Sequence, residues 1–270
     1  MFLNERITLS DDGRAYLDTY VTYNTSGTLR PAVLILPGGG YHGVSLREGE
    51  PIALAFMAKG YNAFVLQYRV GEVGDVYPRQ LIDASRAILH IRENAEKYAI
   101  IRNKVSVLGF SAGGHLAGSL ATMHNDAEVL MAVGCEAGAN RPDFAVLCYP
   151  VVTALHNTHI GSFKNLLGKE FDLITEEEKL RFSIEMRVDE NTPPMFIWHT
   201  AEDKAVPPVG SLRLAERMIE LGNVVSLKIY PYGGHGLALG NAATASAESH
   251  IQPLAAGWID EVCAWADTLK

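Results

Sequence analysis

Cysteine is scarce in this sequence. The three present, Cys135, Cys148 and Cys263, are odd in number and set up no disulfide framework. Two of them lie in apolar runs, where a reduced thiol behaves as a small hydrophobe. Positive charge is scarce too. Lys and Arg total 23 against 31 Asp and Glu, a formal net charge of −8, with no local basic run. That excludes the electrostatic footprint of a nucleic-acid binder. No stretch reaches the roughly 20 apolar residues of a membrane span. The start, Met1-Phe2-Leu3-Asn4-Glu5-Arg6, lacks the basic and apolar regions of a secretory signal. Repeats, low-complexity segments and linker-like stretches are absent as well. What remains is the expectation of a soluble, cytoplasmic protein. Its 270 residues, 48% hydrophobic, suffice for a sizeable core in one α/β domain spanning 1–270. A homo-oligomer is compatible with such a chain.

The order of elements is legible from periodicity and punctuation. Ile7-Thr8-Leu9 and Ala15 to Val21 flank Asp11-Asp12-Gly13 and predict an antiparallel hairpin. The two aspartates lack the further ligands of a calcium loop. Ala32 to Leu36 is a continuous apolar run, the pattern of a strand buried on both faces of a parallel sheet. Pro51 and Gly60 bracket a helix, and Asn62 to Arg69 is the next strand. Pro78 opens a longer helix with Leu81, Ala84, Ile88, Ile91, Ala95 and Tyr98 on one stripe. Asp83 and Arg86 fall off it, and are expected in solvent or paired with a neighbour such as Arg69. Further strands are predicted at Phe144–Pro150, Pro194–Thr200 and Val224–Tyr230. A helix with Leu212, Ala215 and Ile219 inward and a closing helix with Leu254, Trp258, Val262, Trp265 and Leu269 inward complete the chain. Residues 154–191 break the rhythm and read as a small cap over the carboxyl edge of the sheet. His156 and His159 within it have no acidic or thiol partner at metal-ligand spacing. Strand–helix alternation predicts a mostly parallel sheet with helices on both faces and ligands at its carboxyl end.

The chemistry gathers at that edge. Val105-Ser106-Val107-Leu108 runs into Gly109-Phe110-Ser111-Ala112-Gly113-Gly114-His115, followed by an apolar helix start. Strand, Gly-x-Ser-x-Gly, helix is the context of a nucleophile elbow, which projects the serine from a strained turn. Read in isolation, the segment is equally a glycine-rich turn with a capping serine. Pro37-Gly38-Gly39-Gly40-Tyr41 follows the first parallel strand. It lacks the Lys and Ser/Thr of a phosphate loop, but suits the second half of an oxyanion hole. Asp203 and His235 each follow a later predicted strand, so the order is nucleophile, acid, histidine. In this reading His235 takes the Ser111 proton and Asp203 holds its tautomer. The N–H groups of Ala112, Gly39 and Gly40 receive the oxyanion, and Tyr41 and His42 are pocket candidates. Glu202 is the rival acid. His42, His115 and His199 are the rival bases.

These motifs, with Thr192-Pro193-Pro194 through His199-Thr200, Asp203 to Pro207 and Gly234-His235-Gly236, give a resemblance over nearly the whole chain. It resembles the carbohydrate-esterase branch of the α/β-hydrolases, which includes acetyl xylan esterase, feruloyl-esterase-like and "sugar hydrolase" proteins. The resemblance implies an α/β-hydrolase fold with a small cap and a serine esterase acting on acetylated sugars, a small-molecule substrate. It implies no metal and no organic cofactor. Pro37 stands where a better-known esterase loop has histidine, and Ser183-Ile184-Glu185 replaces the Ser-Pro-Glu frequent in the cap. The triad chemistry also serves an arylformamidase or a small peptidase. A hydrolase-shaped receptor usually lacks a triad member, and this chain has all three. The short cap leads to the expectation of a small acyl pocket.

Overall fold

The computed structural model describes residues 2–22 and 27–269, so both ends of the 1–270 span lie outside the described residues. Nine strands form one sheet: β1 (Phe2–Leu3), β2 (Arg6–Thr8), β3 (Tyr16–Thr22), β4 (Arg30–Leu36), β5 (Asn62–Gln67), β6 (Ile100–Phe110), β7 (Ala145–Cys148), β8 (Met195–Thr200) and β9 (Val225–Tyr230). The spatial order is β1-β3-β5-β4-β6-β7-β8-β9, with β2 also paired to β3. Pairings from β5 through β4, β6, β7 and β8 to β9 are parallel, and those of β3 are antiparallel. The predicted hairpin is β2 and β3, with Thr8 opposite Tyr16. β4 and β6 lie at the centre, so the glycine loop and the elbow leave adjacent strands at the same edge.

The helices are α1 (Glu50–Ala58), α2 (Arg79–Glu93), α3 (Ala112–Thr122), α4 (Ala127–Val133), α5 (Ile160–Leu167), α6 (Glu176–Arg181), α7 (Val209–Glu220) and α8 (Trp258–Ala266). Two buried clusters cover the two sheet faces. One gathers Leu34, Leu36, Val107, Leu116, Leu147 and Ile197, and the other Val33, Ile35, Leu108, Val146, Trp198 and Trp258. Alternate residues of each central strand thus go to opposite faces, and both faces are dry, as the continuous apolar runs required.

Three expectations need correction, and one helix had none. α7 turns Leu214, Ala215 and Met218 inward, while Leu212 is 48% and Ile219 68% exposed. α8 starts at Trp258, leaving Leu254 exposed ahead of it. α2 stops at Glu93, so Ala95 and Tyr98 follow it rather than extend its stripe, although Tyr98 is fully buried. The sequence reading has no counterpart to α4, a two-turn helix whose Asp126 side chain accepts the N–H of Glu128 and Val129 and which ends at left-handed Gly134. Asp83 is buried and paired: its Oδ1 accepts Arg69 Nη2 at 2.7 Å and its Oδ2 the Arg69 backbone N–H at 3.0 Å.

Candidate active site

Ser111 sits between β6 and α3 at φ 54°, ψ −117°, a conformation that an L residue holds only under constraint. The constraint is visible in its bonds. Its N–H donates to Cys148 O at 3.0 Å, and its carbonyl accepts the N–H of His115 and of Val151, each at 3.0 Å. Close packing is the other half. A Cβ at Gly109 would lie 2.0 Å from Gly113 O, and one at Gly113 would lie 2.1 Å from Leu36 O and 2.4 Å from Pro37 O. Strand, glycine loop and helix touch here backbone to backbone, which no residue but glycine permits.

The three remote side chains meet. His235 Nε2 is 2.7 Å from Ser111 Oγ, and His235 Nδ1 is 2.6 Å from Asp203 Oδ2. Asp203 is buried, and its Oδ1 accepts the N–H of Ala205 at 3.0 Å and of Val206 at 2.9 Å. Burial pushes its carboxyl up, but the hydrogen bonds from His199 and His235 outweigh that and hold it well below the usual carboxylate range. Charge-assisted bonds of this length keep an imidazole fixed in ring orientation and tautomer. The Tyr149 ring packs edge-on against His235 at 5.1 Å between centroids.

The rivals are placed elsewhere. Glu202 Oε2 accepts the Gly233 N–H at 2.9 Å and so braces the loop that carries His235. His199 donates from Nε2 to Val206 O at 2.9 Å, with Asp203 Oδ2 at 3.2 Å, and its Nδ1 accepts the Ser211 hydroxyl at 2.9 Å. It stands behind the acid, not before the serine. His115 is buried with Nδ1 2.8 Å from Tyr41 Oη and Nε2 2.8 Å from Phe182 O. Burial drives its imidazole down to about 4, against the pull of the Phe182 carbonyl.

In the glycine loop, Gly39 (φ 138°) and Gly40 (φ 63°) hold backbone conformations that glycine alone adopts readily. Their N–H groups meet no acceptor among the described residues. Gly38 is different, since its N–H donates to Glu48 Oε2 at 2.8 Å. Ala112 opens α3, so its N–H has no intrahelical acceptor. Tyr41 is buried with its hydroxyl on His115, while exposed His42 lies with it along a groove bounded by residues 71–76 and 164–170.

Residues between β7 and β8 reach over this edge. Asn165 Nδ2 donates to Gly40 O at 2.8 Å. His159 caps α5 through Nδ1, which accepts the Ser162 N–H, and its Cε1 would lie 3.8 Å from a Cβ at Gly40. Burial, then the neighbouring His235, lowers its imidazole. Sequence reasoning set His159 aside as a poor metal ligand and did not place it beside the glycine loop. It also passed over Glu48, whose only signal was a carboxylate soon after three glycines.

A protein-family model described as BD-FAE matches residues 17–218. The chain belongs to the BD-FAE family. Similar proteins include Endo-1,4-beta-xylanase B of Butyrivibrio fibrisolvens, 40% identical over 214 residues, covering 78% of this chain and 33% of the relative. Acetylxylan esterase of Xylanibacter ruminicola is 33% identical over 240 residues, covering 87% and 46% respectively. This BD-FAE chain thus spans less than half the length of either relative. Among solved structures, an acetyl ester-xyloside bifunctional hydrolase from Caldicellulosiruptor lactoaceticus shares 33% identity over 96% of both chains, with a TM-score of 0.79. A sugar hydrolase from Lactococcus lactis shares 31% identity over 98% of this chain and 97% of its own, with a TM-score of 0.81. The BD-FAE chain has the α/β-hydrolase fold. No helix of the described residues is long and apolar enough to cross a membrane.

Proposed function

We propose that this chain is a serine carboxylesterase that removes small acyl groups, acetyl above all, from carbohydrates. The observation that carries the reading is His235 bridging Ser111 and Asp203 at 2.7 and 2.6 Å. Acetylxylan esterase and acetyl ester-xyloside hydrolase among the similar proteins support the acetylated sugar as substrate.

The steps follow from the chain's own groups. His235 Nε2 takes the Ser111 proton as Oγ attacks the ester carbonyl, and Asp203 stabilises the imidazolium that forms. The carbonyl oxygen gains negative charge and is received by the N–H groups of Ala112, Gly39 and Gly40. His235 then protonates the departing sugar hydroxyl, leaving an acyl-serine. A water, deprotonated by the same ring, attacks this ester, and collapse returns Ser111 and releases the carboxylic acid. Neither metal nor organic cofactor takes part in these steps.

The test is a substrate comparison on wild type and Ser111→Ala: acetylated xylo-oligosaccharide, p-nitrophenyl esters from acetyl to octanoyl, and N-formylkynurenine. Expected are fluorophosphonate labelling and acetyl-ester turnover, both lost in Ser111→Ala, with acetyl favoured over octanoyl. Turnover of N-formylkynurenine alone makes the chain an arylformamidase. A folded wild type that takes no label overturns the catalytic reading altogether.

A further inference from the structure

The turn at residues 46–48 carries two charged side chains with no part in the steps above, and both reach the loops of the site. Arg47 donates Nε to Thr244 O at 2.5 Å and Nη2 to Gly236 O at 3.2 Å, next to His235. Glu48 is only 4% exposed. Its Oε2 accepts the Gly38 N–H at 2.8 Å and its Oε1 accepts the Tyr149 hydroxyl at 2.6 Å. That hydroxyl accepts the Ala238 N–H at 3.0 Å, so its one proton is directed to Glu48. Both carboxylate oxygens are therefore acceptors, which suits the ionised group. Gly38 has no room to spare: a Cβ there would lie 2.8 Å from Glu48 Oε2 and 3.1 Å from Ser111 Cβ.

Building on the serine-esterase reading, we propose that Glu48 is a positioning residue of the active site. Its carboxylate fixes the Gly38 N–H directly and the Ala238 N–H through Tyr149. It thereby holds the glycine loop and the histidine loop in place on either side of Ser111. A buried peptide N–H must find an acceptor. Without Glu48 the Gly38 peptide turns to seek another, and the Gly39 and Gly40 N–H groups that follow it turn away from the oxyanion. Tyr149 likewise loses the bond that sets its ring against His235.

The carboxylate also supplies charge. The groups facing it are Tyr149 and Cys148 at the end of β7, Tyr68 after β5, His235 on the loop after β9, and Arg47 of its own turn. Of these only Arg47 and a protonated His235 are cationic. His235 is faced by Asp203, Ser111, Tyr149 and His159. Glu48 is thus a second carboxylate, besides Asp203, that favours the imidazolium. Burial raises the Glu48 carboxyl, against the hydrogen bonds from Tyr149 and Gly38, so this support weakens as pH falls.

Glu48→Gln keeps the volume but leaves one of the two donors facing an amide NH₂. With p-nitrophenyl acetate, kcat is expected to fall about 10²-fold at unchanged KM. A purely structural role lowers the melting temperature and leaves the kcat of the folded protein alone, and this result overturns the proposal. If Glu48→Gln does not fold, Tyr149→Phe decides, since it deletes one hydroxyl from an intact ring. It is expected to lower kcat by about five- to tenfold, and an unchanged kcat overturns the proposal. Wild-type turnover that vanishes in Ser111→Ala but persists in Glu48→Gln refutes only the role of Glu48. A wild type without ester turnover removes both readings.

Discussion

Replacing His115 by glutamine probes the joint where the elbow helix, the glycine loop and the segment after α6 meet. The wild-type ring donates from Nε2 to Phe182 O and accepts the Tyr41 hydroxyl at Nδ1, both at 2.8 Å. A second ring proton would take the Nδ1 lone pair that Tyr41 uses, on a ring that is buried. The folded ring therefore stays neutral down to about pH 4, while an unfolded histidine takes its proton near the ordinary 6.5. The unfolded chain binds more protons between these values, so stability rises with pH there. The contribution is full above about 6.5 and is lost as pH falls towards 4. At about 1.4 kcal/mol per pH unit it amounts to about 3 kcal/mol, and burial is complete enough that solvent screening takes little away. Glutamine can still donate to Phe182 but cannot titrate or serve Tyr41 equally well. Near pH 8 the variant should be less stable by about 1–3 kcal/mol. Near pH 4 the wild type has lost its advantage, and the two curves should meet or cross. Urea unfolding of both proteins at matched ionic strength measures this directly. Burial also lowers His90, His124, His159 and His250, but their effects cancel in the difference. A difference in stability that stays constant across the range refutes the argument.

Two further outcomes are expected. Gly113→Ala places a methyl 2.1 Å from Leu36 O, an atom that cannot step aside, so the melting temperature should drop by the equivalent of about 1–3 kcal/mol or more and fluorophosphonate labelling of Ser111 should fall with it. Asp203→Asn should cut kcat about 10⁴-fold, whereas Glu202→Gln, which only loosens a loop contact, should cost far less, and the reverse order in ester kinetics would reassign the acid.

The parallel strands were legible because burial on both faces forces unbroken apolar runs, and the four loops at their carboxyl ends then stand out by composition. Ser111 and Asp203 were readable for that reason, since each sits just past such a run, while His235 follows the more exposed strand β9 and stood out by the order of residue types. The inward face of α7 was not. Its sequence carries two apolar faces, Leu212 with Ile219 and Leu214 with Met218, and only the sheet beside it selects the second. α4 has a capping aspartate and a closing glycine, but at seven residues it offers too little periodicity to register. Glu48 was invisible for a different cause. Its partner Tyr149 is 101 residues away, and nothing local marks a charge that the fold will bury. Asp83 shows the same limit in milder form: its pairing with Arg69 was among the expectations, its complete burial was not.

Residue 111 is pulled in two directions. At φ 54° and ψ −117° the chain would fold more comfortably around a glycine, and everything pressed against the turn exists to keep a side chain where the backbone resists one. Laboratory evolution for heat resistance, run without an assay for chemistry, should drift towards emptying that position first. On the esterase reading proposed above, toughness and turnover are therefore opposed at a single amino acid, and a search for hardier variants of this protein has to hold that position fixed while it changes the rest.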